Sequence, residues 1–327
     1  MKNWKKAIAL VASAAALVSV AACGSSNAGG SSDSGKKTVG FVAVGPEGGF
    51  RTANEKDIQK AFEDAGFDLT YSPTQNNDQQ KQIQAFNKFV NDEVDAIILS
   101  STEDSGWDDS LKQAAEAEIP VFTVDRNVDV KDAEAKKAIV AHIGPSNVWC
   151  GEQAAEFVNK NFPDGANGFI LEGPAGLSVV KDRGTGWGNK VASNVKVLES
   201  QSANWSTDEA KTVTAGLLDK YKSDNPQFIF AQNDEMGLGA AQAVDAAGLK
   251  GKVKIITIDG TKNALQALVD GDLSYVIEYN PIFGKETAQA VKDYLDGKTV
   301  EKDIEIESKT FDAASAKEAL DNNTRAY

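Results

Sequence analysis

The chain has 327 residues and a formal net charge of −14 at pH 7, a length that suits two ordinary globular domains. Its 48 acidic residues outnumber 34 basic ones, which argues against nucleic-acid binding and against a polybasic contact with a membrane. With one histidine and two cysteines in the whole sequence, we expect no metal site, because no histidine–cysteine ligand set can be assembled.

The first residues read as a processing signal. Three lysines precede an apolar stretch at 7–22, and Val-Ala-Ala-Cys at 20–23 has the form of a lipobox. This predicts acylation of Cys23, followed by a Gly/Ser-rich tether at 24–35. The alternatives are a plain secretory signal with an incidental cysteine, or an uncleaved membrane anchor, for which the apolar stretch is short. The other cysteine, Cys150, is predicted to be a buried thiol.

From residue 38 onward, short apolar segments alternate with amphipathic ones. The predicted strands are 38–44, 67–71, 96–100, 121–124, 138–143, 168–171, 196–200, 227–231, 253–258 and 273–277. The clearest predicted helices are 55–65, 79–91, 107–117 and 207–221. Continuously apolar strands that alternate with helices indicate parallel sheets covered on both faces. Two sets of about five strands predict an α/β fold with two doubly wound parallel-sheet lobes.

The most informative stretch is Phe-Ala-Gln-Asn-Asp-Glu-Met at 230–236, where an apolar strand meets a small-residue helix. Asp234 is predicted to be the helix N-cap, with Glu235 in the first turn. Asn233 then lies at the carboxyl end of a buried strand, where open α/β sheets bind ligands. Its amide both donates and accepts hydrogen bonds, which suits a neutral polyhydroxyl ligand.

This stretch resembles the ribose-binding branch of the periplasmic sugar-binding proteins of ABC importers, and four further stretches match that family in the same order. They are Gly-Pro-Glu-Gly-Gly-Phe-Arg-Thr at 45–52, Ile-Pro-Val-Phe-Thr-Val-Asp-Arg at 119–126, the segment 178–186 around Arg183, and Ile-Asp-Gly at 258–260. The resemblance covers nearly the whole mature chain. Within the branch, the sequence is most similar to galactofuranose-binding and fructose-binding members.

The resemblance implies a type I periplasmic binding protein fold, in which the chain crosses between lobes three times, near residues 143, 279 and 306. The implied organisation is a signal peptide at 1–22, an acylated cysteine and tether at 23–37, an N-terminal lobe at 38–143 plus 280–306, and a C-terminal lobe at 144–279 plus 307–327.

The resemblance also implies a ligand-binding site at the strand ends. A monosaccharide needs flat apolar surfaces for its C–H faces and charge-assisted hydrogen bonds for its hydroxyls. Glu278 matches an acidic residue at the second hinge crossing of galactofuranose-type members, where ribose-type members carry an amide, and Tyr279 takes that place if the register slips by one. The ligand-binding residues implied are Glu47, Phe50, Arg51, Asp125, Arg126, Arg183, Trp205, Asn233, Asp259 and Glu278.

Two other classes of protein share features with this sequence. A sensory or transcriptional module shares this fold, but it would need a DNA-binding segment where this chain has a lipobox. Ser178-Val-Val-Lys181 and Ser223-Asp-Asn match parts of the serine acyl-enzyme motif set, but the third part, Lys-Thr-Gly, does not follow. Gly-Thr-Gly-Trp-Gly at 184–188 lacks a preceding strand and is not predicted to be a phosphate loop. His142 is predicted to pack within a strand.

We therefore expect a solute-binding protein without catalytic activity or cofactor, lipid-anchored to the outer face of the cell membrane. The expected ligand is a monosaccharide, with fructose favoured and galactofuranose or ribose as alternatives. The expected partners are the permease subunits of an ABC transporter, with the binding protein itself a monomer.

Overall fold

The computed structural model describes residues 35–75 and 77–324. In chain order, its strands are β1 (Thr38–Ala43), β2 (Asp68–Pro73), β3 (Ala96–Leu99), β4 (Val121–Val124), β5 (Ile139–Pro145), β6 (Ala166–Glu172), β7 (Val195–Ser202), β8 (Pro226–Ala231), β9 (Lys254–Asp259), β10 (Tyr275–Glu278), β11 (Asp303–Ile306) and β12 (Thr310–Phe311).

The helices alternate with these strands through most of the chain. They are α1 (Gly49–Asp64), α2 (Gln79–Asn91), α3 (Asp108–Glu116), α4 (Asn147–Asn161), α5 (Ser178–Lys190), α6 (Thr207–Lys220), α7 (Asp234–Ala246), α8 (Lys262–Val269), α9 (Gly284–Leu295) and α10 (Ala313–Asp321). Short 3₁₀ turns occupy Ala135–Ala138 and Lys222–Asp224. Within the described residues, no helix combines the length and apolar character needed to span a bilayer.

The strands form two six-stranded sheets, with orders β11-β5-β4-β3-β1-β2 and β12-β10-β9-β8-β6-β7. Every neighbouring pair is parallel except β10 and β12. The prediction of two parallel α/β lobes is confirmed. Each sheet has six strands where about five were expected, because the additional strands, β11 and β12, are short edge strands.

The chain passes between the two sheets three times, after β5, after β10 and after β11. The N-terminal sheet thus takes in a late strand, β11, which pairs with β5. In each sheet the strand order reverses next to the first strand of that lobe, β1 or β6. Crevices at such switch points, outside the carboxyl ends of the strands, are where open α/β sheets bind ligands.

One helix boundary differs in a way that matters for the site. The sequence predicts a helix from residue 55, whereas α1 begins at Gly49, directly after an N-cap at Gly48. The glycine pair reads as a loop, yet Gly48 has φ 147° and supplies the turn into the helix. Phe50 and Arg51 consequently belong to the first turn of α1. The helical backbone fixes the positions and directions of their Cβ atoms.

The expectations for His142 and Cys150 are met, and Trp107 packs at a helix start. Trp107 is fully buried at the start of α3 and donates its indole N–H to the carbonyl oxygen of Glu103 at 2.9 Å. His142 lies in β5 and contacts the hydroxyl of Thr123 at 3.0 Å. Cys150 is fully buried in α4, where burial raises the pKa of its thiol to about 12.

Candidate functional site

The first lobe contributes a chain of buried charges at the ends of β1 and β4. Arg51 forms an ion pair with Asp125 and donates a second hydrogen bond to the hydroxyl of Ser100 at 3.0 Å. Both side chains of the pair are at least 95% buried. Burial works to raise the pKa of Asp125, but Arg51 and Arg126 outweigh it and hold that pKa below its ordinary value. Asp125 is therefore an ionised carboxylate, held at a backbone φ of 65° at the end of its strand.

Arg126 lies behind this layer. Its guanidinium pairs with Glu47 and donates to the carbonyl oxygens of Ser101 and Thr102, at 3.3 and 3.4 Å. Glu47 also lies 3.8 Å from the Nε of Arg51. The neighbouring Asp125 and Arg126 thus have different placements, with the carboxylate lining the cavity and the guanidinium supporting Glu47 from behind.

The second lobe positions Arg183 through close contact between α4 and α5. A Cβ at Gly186 would lie 1.9 Å from the carbonyl oxygen of Val148, so only glycine permits the two backbones to approach this closely. This accounts for Gly186, which lies inside a helix, whereas a Cβ at Gly184 or Gly188 would meet open space. Arg183 donates to the side-chain oxygen of Asn147 at 3.0 Å and to the backbone carbonyl of Gln232. Its charge lies over the rings of Trp205 and Tyr279, 5.7 and 5.0 Å from their centroids.

The start of α7 differs from the prediction. Asn233 is the N-cap, accepting from the backbone N–H of Met236 at 2.9 Å, so the assignment of Asp234 as the cap is wrong. Asp234 instead accepts from the hydroxyl of Thr257 at 2.9 Å and from the amides of Gly260 and Thr261 at 2.9 and 2.7 Å. Its carboxylate has more donors there than a cap position would supply, which explains why the neighbouring amide takes the cap.

Two carboxyl groups therefore lie close together beneath the second lobe's side of the site. Burial raises the pKa of Asp234 to about 7, although the amide of Thr261 donates to it. Burial, and then the charge of Asp234, raise the pKa of Asp259 well above its ordinary value, against the pull of Arg183. The nearest atoms of Arg183 and Asp259 are 4.0 Å apart. The cost of burying acidic charge here makes this the most proton-sensitive part of the site.

These side chains enclose a cavity between the lobes. The empty space measures about 400 Å³, counted out to its opening to solvent, which limits the ligand to a small molecule. Eight of the ten predicted residues line it: Glu47, Phe50, Arg51, Asp125, Arg183, Trp205, Asn233 and Asp259. Arg126 lies behind Glu47, as described above. The cavity lining also includes Gly48, Gly49, Val179, Glu235 and Tyr279.

Glu278 and Tyr279 take different places at the second crossing. Glu278 accepts the backbone N–H of Lys309 at 3.1 Å and so ties the second crossing to the third. Tyr279 lines the cavity and packs on Phe50, with ring centroids 5.0 Å apart. Of the two candidates for a hinge contact, Tyr279 is the residue that faces the cavity.

The cavity chemistry suits a neutral, polar ligand with apolar faces. Each arginine that lines the cavity has an acidic neighbour, Asp125 for Arg51 and Asp259 for Arg183. An anionic ligand would therefore lie next to an acidic group wherever it approached an arginine. Trp205 and Phe50 supply flat apolar surface from opposite lobes. Charge-assisted hydrogen bonds combined with aromatic faces are what a sugar ring requires.

The residues of the acyl-enzyme motif do not assemble in this cavity. The hydroxyl of Ser178 donates to Asp104 of the other lobe at 3.1 Å, whereas Ser223 lies in the 3₁₀ turn after α6. Within the described part of the chain, no group of three or more histidine, cysteine or acidic residues has the arrangement of a metal site.

The chain matches the model of the periplasmic binding protein domain over residues 39–299. It is 32% identical to the galactofuranose-binding protein YtfQ of Escherichia coli (strain K12), over 97% of this chain and 98% of that protein. It is 31% identical to the ribose import binding protein RbsB of Bacillus subtilis (strain 168), over 84% of this chain and 87% of that protein.

A solved structure from Mycobacterium smegmatis, in complex with β-D-fucofuranose, is similar with a TM-score of 0.82 and 34% identity, covering 88% of this chain and 95% of that one. The chain therefore belongs to the periplasmic binding protein family and has its type I fold.

Proposed function

We propose that this member of the periplasmic binding protein family captures a monosaccharide in its furanose ring form and delivers it to an ABC transporter permease. The observation that carries the proposal is the cavity between the lobes, where ion-paired arginines and carboxylates surround two aromatic faces. The role is binding without catalysis.

The cavity, with polar groups on both lobes, suits a monosaccharide of either ring size, and the ring form is proposed from the relatives. The names of two similar proteins, one binding galactofuranose and one in complex with β-D-fucofuranose, support a furanose for this chain too. D-Fructose remains the first choice from the sequence, with galactofuranose and ribose as alternatives.

In the proposed binding mode, both lobes hold the ring. Asp125 and Arg51 bind hydroxyls from the first lobe, with Arg126 and Glu47 supporting them, while Arg183, Asn233 and Asp259 bind from the second. Asn233 has one donor and one acceptor position left for a ligand, since its amide already caps α7 and donates to Glu235 at 2.7 Å. Phe50 and Trp205 pack on the two faces, and Tyr279 takes the hinge position.

Calorimetry tests the proposal with D-fructose, D-galactose, L-arabinose, D-ribose, D-xylose and D-glucose. At least one sugar should bind with micromolar affinity or better, which is about 8 kcal/mol or more. Carbon-13 NMR of the labelled sugar then identifies the bound ring form, because each form of an equilibrating sugar has its own anomeric signal. Absence of heat from every sugar would reject the function, and a bound pyranose would reject the ring form alone.

A further inference from the structure

The carboxylate of Glu235 connects the two lobes across the cleft. One of its oxygens accepts the backbone N–H of Gly49, at the start of α1 in the first lobe, at 3.0 Å. The other accepts the side-chain amide of Asn233, in its own lobe, at 2.7 Å. Glu235 also lines the cavity. A single side chain thus touches the first lobe, the predicted sugar contact Asn233 and the binding cavity.

The contact gives α1 an N-terminal cap from outside its own lobe. The N-cap residue of α1 is Gly48, which has no side chain to satisfy the N–H groups of the first turn. Those groups, together with the positive end of the helix dipole, attract a carboxylate. Glu235 supplies one, 186 residues away in sequence.

Gly48 makes room for this contact. A Cβ at Gly48 would lie 2.8 Å from the Glu235 carboxylate oxygen, and φ is 147°, a conformation that side chains other than glycine rarely adopt. A bulkier residue at Gly48 would therefore change this turn in two ways. It would put a side chain at the cap position, and it would block the route by which the Glu235 carboxylate reaches α1 from the other lobe.

We propose that Glu235 is a positioning residue that couples occupation of the cavity to closure of the lobes. The inference rests on the proposed function. Hinge opening must break the contact with Gly49, since the two residues belong to different lobes, and α1 then loses its cap. The cap accordingly favours the closed form. Asn233, which is proposed to contact the sugar, orients the Glu235 carboxylate that forms this cap.

Loss of the cap should weaken sugar binding through faster release. Replacement of an N-cap side chain by alanine costs a helix about 0.5–2 kcal/mol, which corresponds to about a 2- to 30-fold weaker affinity for Glu235→Ala. Glu235→Gln keeps one acceptor oxygen for the Gly49 N–H but loses the charge and the second acceptor, and its loss of affinity should be smaller than that of Glu235→Ala. The association rate should change less than the dissociation rate.

The deciding experiment is amide hydrogen exchange at Gly49, measured by NMR on the full-length protein with and without D-fructose. Gly49 should exchange faster in Glu235→Ala than in wild type, with the largest difference in the sugar-bound protein. Glu209→Ala is the matched control, because Glu209 is also a first-turn glutamate that accepts an asparagine amide, that of Asn204 in its own lobe at 2.7 Å.

Equal exchange at Gly49 in wild type and Glu235→Ala, under both conditions, would overturn the proposal. So would an equal loss of protection in Glu209→Ala, since that would mark a general loosening of the C-terminal lobe. If D-fructose does not bind, the sugar-free comparison still decides about Glu235, so this failure stays separate from failure of the proposed function.

Discussion

The hydroxyl of Tyr279 donates to the backbone carbonyl oxygen of Asp125 at 3.3 Å. The same hydroxyl accepts the side-chain amide of Asn147 at 3.0 Å. Tyr279 is 1% exposed. This one oxygen atom therefore joins three parts of the chain: the second crossing, the residue directly after β4 and the start of α4. It links the hinge to the Arg51–Asp125 pair.

Tyr279→Phe tests this link. Removing the hydroxyl leaves the Asn147 amide and the Asp125 carbonyl with one partner fewer in a buried place, which should lower the free energy of unfolding by about 1–3 kcal/mol. Urea denaturation checks this as a lower midpoint with an unchanged slope. Tyr294→Phe is the control, since Tyr294 is 42% exposed and should change stability by less than about 0.5 kcal/mol. Equal effects of the two variants would contradict the link.

Asp125→Ala should abolish most of the sugar affinity. It removes the charged acceptor proposed to bind the sugar hydroxyls and leaves Arg51 buried without this carboxylate, and truncation of a buried hydrogen-bonded charge at a binding site costs about 2–5 kcal/mol, or about 30-fold or more in affinity. The sugar affinity of Asp125→Asn should lie between those of wild type and Asp125→Ala, because asparagine keeps the shape of the side chain and loses its charge. Calorimetry with whichever sugar binds wild type provides the measurement.

Asp129→Ala is the control for this position, as Asp129 lies in the same loop and forms an exposed ion pair with Lys131 at 2.8 Å. Such surface pairs contribute little, so its affinity should match wild type. Full affinity in Asp125→Ala would move the sugar site elsewhere.

The stability of the protein should fall with rising pH through the contribution of Asp234. Its pKa is about 7 in the folded protein, above the ordinary 3.8 of an unfolded aspartate. The folded state therefore holds this proton more tightly, and the resulting stabilisation is complete below about pH 3.8 and is lost as the pH rises through about 7. The slope from one such group is at most about 1.4 kcal/mol per pH unit.

Asp234→Asn removes the titratable carboxyl group at this position and keeps an oxygen that accepts from the amides of Gly260 and Thr261. The difference in unfolding free energy between variant and wild type should then shift in favour of the variant from pH 4 to pH 7, as followed by urea denaturation. A difference that does not change with pH would contradict a raised pKa in the neighbouring Asp234 and Asp259 carboxyls.

Cys23→Ala should release the protein from the membrane fraction. Each acyl methylene buried in a bilayer contributes about 0.8 kcal/mol, so the expected lipid chains hold the protein firmly. Cell fractionation and the intact mass of the mature chain measure this directly. Cys23 lies outside the described residues, and the prediction comes from the lipobox alone. Soluble wild-type protein, cleaved before Cys23 but without added mass, would refute the anchor.

Much of the fold follows from the sequence because parallel strands are buried on both faces. Runs such as Ala96–Leu99 and Val121–Val124 are entirely apolar or β-branched and entirely buried. The exceptions are informative. Asp303–Ile306 alternates charged with apolar residues at the edge of its sheet, and Thr310–Phe311 is only two residues long. Neither segment has the continuous apolar pattern of a central strand. Each becomes a strand only by pairing with a strand that is distant in the sequence.

From the residue pattern alone, the site was predictable where a residue stands at the end of a strand, whereas Arg51, Arg183 and Trp205 came from the family resemblance. Asp125, Asn233 and Asp259 stand at strand ends, and the structure places all three at the cavity. Glu235 had a sufficient local explanation as a first-turn acid, and nothing in the sequence shows that its carboxylate reaches Gly49 in the other lobe. Likewise, adjacency in the chain could not reveal that Asp125 faces the cavity while Arg126 lies behind Glu47.

The buried thiol of Cys150 makes this protein a convenient starting point for an optical sugar sensor. With a pKa of about 12, the thiol is protonated at neutral pH and fully buried in the first turn of α4, so it will not compete for a maleimide dye. In a chain carrying Cys23→Ala, a new cysteine at an exposed rim position would be the single reactive thiol. A fluorophore attached there would report each opening and closing of the cleft as a change in emission.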